Sequence, residues 1–157
     1  MIQACFTFKQ IYMNLVAEIQ VSYSNKNSHK EKIISGDKAY CVFLNSWSKK
    51  TIELQEEFKV MMLNNSNEVL GIYPLSKGGI TGTVVDVRLI FAVALKCNAT
   101  RIILAHNHPS GKLKPSDADI GITKKIKSGS DILDIKLLDH LIITKNGYYS
   151  FQENGIH

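Results

Sequence analysis

The sequence contains few cysteines, no long apolar run and no basic leader, and each shortage excludes a class of protein. Its three cysteines, Cys5, Cys41 and Cys97, lie far apart and form no Cys-x-x-Cys pair, which excludes a disulfide framework and a thiolate zinc site. We expect them to be reduced core residues. No stretch reaches the ~20 apolar residues that cross a bilayer, so we predict a cytoplasmic protein without membrane contact.

A dense basic stripe interleaved with aromatic residues, which nucleic-acid-binding modules usually carry, is also missing. The formal net charge is +5, but the lysines are dispersed in small groups at 49–50, 112–114 and 124–127. This dispersion indicates solvated surfaces. We therefore expect any nucleic-acid binding to be weak and independent of base sequence.

The composition indicates a single folded domain. Hydrophobic residues make up 45% and charged residues 21%, which excludes an intrinsically disordered chain. A chain of 157 residues is long enough for one hydrophobic core and leaves little room for a second. We predict one domain over residues 14–157 and interpret residues 1–13, which show no clear periodicity, as a leader that could be disordered.

The periodicity of apolar residues predicts interspersed strands and helices. The polar segment 64–67 (Asn-Asn-Ser-Asn) predicts a hairpin turn, and the segment 84–96, apolar on nearly all sides, predicts a largely buried helix. Mixed elements in this order favour an α/β fold in which helices pack on a central sheet. Strands are predicted over 14–23, 57–63, 68–75, 101–105, within 132–144 and over 148–151, and helices from 36, over 84–96 and over 116–127.

Two histidines stand two residues apart after a predicted strand. His106 and His108 follow the apolar strand 101–105. Residues two apart in an extended chain project from the same side, so both imidazoles can reach one metal ion.

An aspartate can complete the ligand set. Residues 109–111 (Pro-Ser-Gly) predict a turn that folds the chain back before Ser116 opens the next helix. Asp119 then lies in the first helical turn, where the helix dipole favours a carboxylate. Three protein ligands and a water form a catalytic zinc geometry, whereas structural zinc sites close all four positions. We predict one Zn²⁺ per chain, bound by His106, His108 and Asp119.

The same residues also have a simpler interpretation. Ser116-x-x-Asp119 is the pattern of a helix capping box, and histidines beside a strand end can be ordinary surface or core groups. Either the histidine pair or the Ser-x-x-Asp pattern alone would favour this simpler interpretation. The combination at these spacings favours metal binding, with Ser116 both capping its helix and facing the substrate.

The stretch 104–119 (LAHNHPSGKLKPSDAD) resembles the JAMM pattern of the JAB/MPN metalloproteases, His-x-His-x7-Ser-x-x-Asp. Together with Leu-Asp-His at 138–140 and Tyr-Ser-Phe at 149–151, it is similar to the RadC-like branch in particular, over about residues 51–155. The resemblance implies a curved mixed sheet flanked by helices and zinc bound at the positions proposed above. It also implies an upstream glutamate as general acid and base, and a peptide or isopeptide substrate.

Glu56 and Glu57 are the candidates for that glutamate. In a strand, Glu56 shares a face with Phe58 and Glu57 shares one with Lys59, which indicates that the face of Glu57 begins in solvent. The RadC-like pattern also places its glutamate two residues before an aromatic. We predict Glu56 as the general base and Ser116 as a residue that stabilises the oxyanion. A shift of the strand boundary would exchange the roles of the two glutamates.

Asp139 and His140 are two further polar residues within a predicted strand. Neighbouring strand residues point to opposite faces, so at most one of them can face the site and support a metal ligand. We assign neither to the site.

Three hypotheses for function follow. The first is a zinc-dependent peptidase or isopeptidase. The second is a DNA-repair-associated accessory or nucleic-acid-processing protein, based on the basic charge and on the repair label attached to RadC-like proteins. The third is a zinc-bound scaffold without turnover, which applies if neither glutamate reaches the water.

Overall fold

The computed structural model describes residues 22–24, 30–80 and 82–156. The predicted leader lies outside these residues, and so does the predicted strand 14–23 except for its last two positions, which form no regular element. In the described part of the chain, no helix has the length and apolar character needed to cross a membrane.

Five strands form one mixed sheet in the order β2-β1-β3-β4-β5. Neighbouring strands are antiparallel except for β3 and β4, which are parallel and connected through a helix. The predicted α/β class, with a mixed sheet flanked by helices, is confirmed. The elements in chain order are α1 (Gly36–Ser46), β1 (Glu57–Leu63), β2 (Val69–Lys77), α2 (Val87–Lys96), β3 (Arg101–Asn107), α3 (Asp117–Ile132), β4 (Lys136–Thr144) and β5 (Gly147–Ser150).

The sheet separates two hydrophobic cores because successive side chains of a strand point to opposite faces. Along β1, Val60 and Met62 contribute to the core beneath α2 and α3, whereas Met61 and Leu63 contribute to the core beneath α1. All four side chains are at most 1% exposed. The central strands β1 and β3 are therefore covered on both sides.

Two helices differ from their predicted extents. Helix α2 begins at Val87 because the Asp86 side chain accepts a hydrogen bond from the Arg88 backbone, which leaves Val84 outside the helix and 84% exposed. The prediction of a largely buried helix was wrong, since Leu89 and Leu95 are 46% and 54% exposed. Helix α3 continues five residues past the predicted end at residue 127, to Ile132.

A glycine allows α3 to pass close to α2. A Cβ atom at Gly129 would lie 2.6 Å from the ring of Phe91. The sequence Ser-Gly-Ser at 128–130 resembles the end of a helix, but here the glycine provides space for an aromatic neighbour from a distant segment. A larger side chain at residue 129 would collide with this ring.

Two expectations about exposure were also wrong. Lys59 is only 6% exposed: its Nζ donates to the Ser46 carbonyl at 2.7 Å and lies 4.2 Å from the centre of the Trp47 ring. The face that Glu57 shares with Lys59 therefore lies against α1 and not in solvent. Cys41 is exposed and Cys97 half-buried, so neither is a core residue, and both are free thiols.

Asn107 attaches the loop before β1 to the end of β3. It is fully buried, and its side-chain Oδ1 accepts from the Glu57 backbone N–H at 2.7 Å. Its Nδ2 donates to the carbonyls of Ile52 and Gln55 at 2.7 and 2.9 Å. One buried side chain thus satisfies three backbone groups of residues 52–57, which is the segment that carries Glu56.

We expect Asn107→Ala to lower the free energy of unfolding by about 2–4 kcal/mol, because it leaves buried N–H and C=O groups without partners. Urea denaturation measures this loss. Asn154→Ala is the matched control: this exposed asparagine makes one hydrogen bond, to the Ser150 carbonyl, and should cost about 1 kcal/mol or less. Equal losses in both variants would contradict the role of Asn107.

Candidate metal centre

The two histidines lie at the end of β3, on the face beneath α2 and α3. His106 is the penultimate residue of the strand, pairs with Phe58 of β1 and is 1% exposed. Its ring lies parallel to that of Phe58, with centroids 6.0 Å apart. His108 follows the strand, and its backbone N–H donates to the Ile143 carbonyl at 3.2 Å. The spacing of two residues brings the two Nε2 atoms to 3.0 Å from each other.

Asp119 reaches the histidines from the first turn of α3. Its Oδ1 lies 3.2 Å from His106 Nε2, and its Oδ2 lies 3.7 Å from His108 Nε2. The turn predicted at 109–111 is present, with Gly111 at φ +77° and its N–H bonded to the His108 carbonyl at 3.0 Å. This turn reverses the chain so that α3 begins beside the strand end.

Asp119 is also half of a capping box, so the simpler interpretation of Ser116-x-x-Asp119 is correct and compatible with the ligand role. Asp119 Oδ2 accepts from the Ser116 backbone N–H at 2.7 Å and from its hydroxyl at 2.6 Å. The Asp119 N–H donates back to Ser116 Oγ at 3.2 Å. Oδ2 therefore closes the cap, and Oδ1 stays directed at His106.

These three side chains fit a tetrahedral metal ion. One donor atom from each can be chosen so that all lie within 4.8 Å of one another. Ligands held about 2.0–2.1 Å from a tetrahedral zinc ion lie about 3.3 Å apart. The two Nε2 atoms are 3.0 Å apart and His106 Nε2 lies 3.2 Å from Asp119 Oδ1, both close to that value.

The ring of His108 is oriented by a backbone carbonyl. Its Nδ1 lies 2.8 Å from the Lys112 carbonyl oxygen, which can only accept a hydrogen bond. Nδ1 must therefore carry a proton, and Nε2, on the side of Asp119, is the nitrogen available to a metal. Loop 109–112 thus both reverses the chain and orients a ligand.

Glu56 faces this cluster and Glu57 faces away from it. Glu56 lines the same cavity as His106 and Asp119, and its backbone is paired with Gly78 and Gly79 at 2.8 and 2.9 Å. Glu57 instead accepts from Thr51 Oγ1 at 3.1 Å and lies 3.4 Å from Lys77 Nζ. The structure therefore brings Glu56, Ser116 and the three proposed ligands together and leaves Glu57 outside.

The charges of the site follow from burial and proximity. Burial raises the pKa of Glu56 above its ordinary value, and the neighbouring histidines only partly oppose this shift. Burial also disfavours the charged form of Asp119, but contacts with His106, His108 and Ser116 outweigh it and hold that pKa far below its usual range. The hydrogen bond between His108 and Asp119 raises the pKa of His108. Asp119 therefore stays a carboxylate to lower pH than an ordinary aspartate, and Glu56 binds a proton more readily than an exposed glutamate.

Two residues behind His106 were not assigned to the site from the sequence. His140, 1% exposed, places Nε2 2.8 Å from His106 Nδ1, and its Nδ1 lies 2.6 Å from Thr123 Oγ1. Asp139 points the other way and accepts from Ser150 Oγ at 2.6 Å, so one of the pair faces the site. Strand parity limited the choice to one of the two. Thr123 lies one helical turn after Asp119, and no sequence motif pointed to it.

The chain matches known proteins over most of its length. The family model described as the RadC-like JAB domain matches residues 33–156. A "UPF0758 protein" of Flavobacterium johnsoniae is 62% identical over 101 residues, which are 64% of this chain and 44% of that protein. Another, of Porphyromonas gingivalis, is 45% identical over 103 residues, or 65% of this chain and 45% of that protein. The aligned region thus spans less than half of each relative.

The order of elements, the mixed sheet and the His-x-His-x7-Ser-x-x-Asp stretch all lie within the matched residues 33–156. The match covers well over half of the chain. This chain belongs to the RadC-like JAB domain family.

Proposed function

We propose that this chain is a zinc-dependent hydrolase of amide or isopeptide bonds, with zinc bound by His106, His108 and Asp119. The observation that carries the proposal is the convergence of these three donors beside the carboxylate of Glu56. Two nitrogens and one oxygen leave a coordination position open, as in catalytic zinc sites. A groove lined by Glu56, Thr83, His108 and Ser116 opens to solvent here and gives a peptide access.

When bound, zinc would supply a Lewis acid that polarises a substrate carbonyl and lowers the pKa of water. Glu56 would accept a proton from the attacking water and return it to the leaving amine. Its raised pKa suits the first of these steps, because a carboxylate with a higher pKa is a stronger base. Asn107 accepts a hydrogen bond from the backbone of Glu57, so the position of Glu56 depends on the buried Asn107 side chain.

Ser116 would donate to the oxygen on which negative charge develops. In the structure its hydroxyl donates to Asp119 Oδ2 at 2.6 Å. The proposed role therefore requires the hydroxyl proton to turn from Asp119 to the substrate. The Ser116 backbone N–H, also bonded to Oδ2, would retain the cap during this change.

We expect the purified protein to bind about one zinc ion per chain, and Asp119→Asn and His106→Ala to lose most of it, because each removes a ligand. Metal analysis after gel filtration measures the occupancy. Asp117→Asn is the control, since this carboxylate lies two residues away in the same helical turn and outside the trio. Full occupancy in both ligand variants would refute the assignment.

Zinc bound to the folded state alone should stabilise it through linkage. At free zinc about 100 times the Kd, the stabilisation is about 2.7 kcal/mol, so removal of zinc by a chelator should lower Tm by about 5–15 °C. Scanning calorimetry with and without chelator measures the shift. In Asp119→Asn the two curves should coincide, and an equal shift in that variant would show that the chelator acts elsewhere.

We expect Glu56→Gln to retain zinc and to lose on the order of 10²-fold or more in hydrolytic rate, because glutamine keeps the size of the side chain but cannot accept the proton. A fluorogenic library of peptides and lysine isopeptides provides the assay. Glu57→Gln should keep the rate, although it weakens the contacts with Thr51 and Lys77.

Two other results would each favour a different assignment. Loss of turnover in Glu57→Gln but not in Glu56→Gln would exchange the roles of the two glutamates. Zinc binding by the wild type without cleavage of any library member would favour the non-catalytic scaffold.

A further inference from the structure

A continuous chain of buried hydrogen bonds connects two of the proposed ligands behind the site. It runs from the Asp119 carbonyl to Thr123 Oγ1 at 2.6 Å, from Thr123 to His140 Nδ1 at 2.6 Å, and from His140 Nε2 to His106 Nδ1 at 2.8 Å. Thr123, His140 and His106 are 2%, 1% and 1% exposed. Solvent therefore has little access to these bonds.

The Asp119 carbonyl oxygen determines which atom donates and which accepts in each hydrogen bond of the chain. A carbonyl oxygen only accepts, so the single Thr123 proton is donated to Asp119, and Thr123 must accept from His140. His140 therefore carries a proton on Nδ1. The reverse arrangement would leave two oxygen atoms 2.6 Å apart with no proton between them.

His140 is then the acceptor for His106. Its ring packs on Phe151, with centroids 4.6 Å apart, and against Phe58 at 5.4 Å, and its two nitrogens contact only Thr123 and His106 among the described residues. The ring is buried between two phenylalanines and its nitrogens face Thr123 Oγ1 and His106 Nδ1, so it is neutral, with a proton on Nδ1 and a lone pair on Nε2. His106 must therefore donate from Nδ1. Its Nε2 is then the nitrogen turned to the other two proposed ligands, 3.0 Å from His108 Nε2 and 3.2 Å from Asp119 Oδ1.

We propose that Thr123 and His140 are positioning residues that hold His106 in the tautomer whose Nε2 is free to bind the metal. This inference rests on the metal site proposed above and adds two residues to it. Because the chain begins at the backbone of Asp119, the helix that carries the oxygen ligand also sets the proton position on a nitrogen ligand. Removal of the Thr123 hydroxyl would leave His140 Nδ1–H without an acceptor. A shift of the His140 proton to Nε2 would then turn His106 into the acceptor and place a proton on the nitrogen that should bind metal.

The test compares Thr123→Val, which is close in shape and lacks the hydroxyl, with Thr123→Ser, which retains it. Zinc affinity is measured by competition with a chelating dye. We expect Thr123→Val to weaken zinc binding about 10–100-fold, and Thr123→Ser to stay close to wild type. Thr144→Val is the matched control, because this buried threonine bonds the Gly147 carbonyl outside the chain of bonds and should leave the affinity unchanged. Equal affinity of Thr123→Val and wild type, or an equal loss in Thr144→Val, would overturn the proposal.

Nitrogen-15 NMR of the histidine rings in metal-free wild type tests the same inference without zinc. We expect His140 and His106 both to carry a proton on Nδ1, and Thr123→Val to remove the proton from His106 Nδ1. A wild-type His106 protonated on Nε2 alone would refute the proposal even if Thr123→Val failed to fold. A wild type that binds no zinc but shows the expected tautomers would refute the proposed function and leave the chain of bonds supported.

Discussion

Side-chain alternation at the end of β3 is the constraint on which the rest of the site depends. His106 points towards α3, and the next residue, Asn107, points towards the loop 52–57 on the opposite side. The proposed ligand His106 and the loop-holding residue Asn107 are therefore neighbours in sequence that act on opposite faces of the sheet. A slip of β3 by one residue would exchange them, burying an imidazole against backbone carbonyls and losing the ligand. The sheet register, set by β1 and β4 on either side, is thus part of the site.

The parts predicted correctly are those with short-range patterns. The strand 57–63, the helix that starts at residue 36 and the hairpin turn at 64–67 follow from period and turn chemistry, and all three are present. The three proposed ligands also come together through local features: His106 and His108 are two residues apart, and Asp119 follows in the first turn of the next helix. Strand parity predicted that Glu56 and Glu57 would point to opposite faces, and they do, although the reason offered for choosing between them was wrong.

The missed features depend on neighbours that are distant in sequence. Lys59 is buried because the carbonyl of Ser46 and the ring of Trp47 meet it from α1. Helix α3 continues past residue 127 to Ile132, and there Gly129 packs against Phe91 of α2. Thr123 and His140 are 17 residues apart and become partners only when the crossover from α3 to β4 is in place. No window of local sequence contains such pairs, so periodicity alone could not predict them.

The capping box at Asp119 would also affect how fast a metal ion enters the proposed site. Two bonds from Ser116 hold the carboxylate in place before any ion arrives, so binding requires no search through rotamers and no ordering of the helix end. The loss of water molecules from the ion itself would then be a main barrier to binding. Ions that exchange water rapidly should therefore load much faster than ions that exchange it slowly, even where their final affinities are equal. The site would then discriminate between metals by rate as well as by strength of binding.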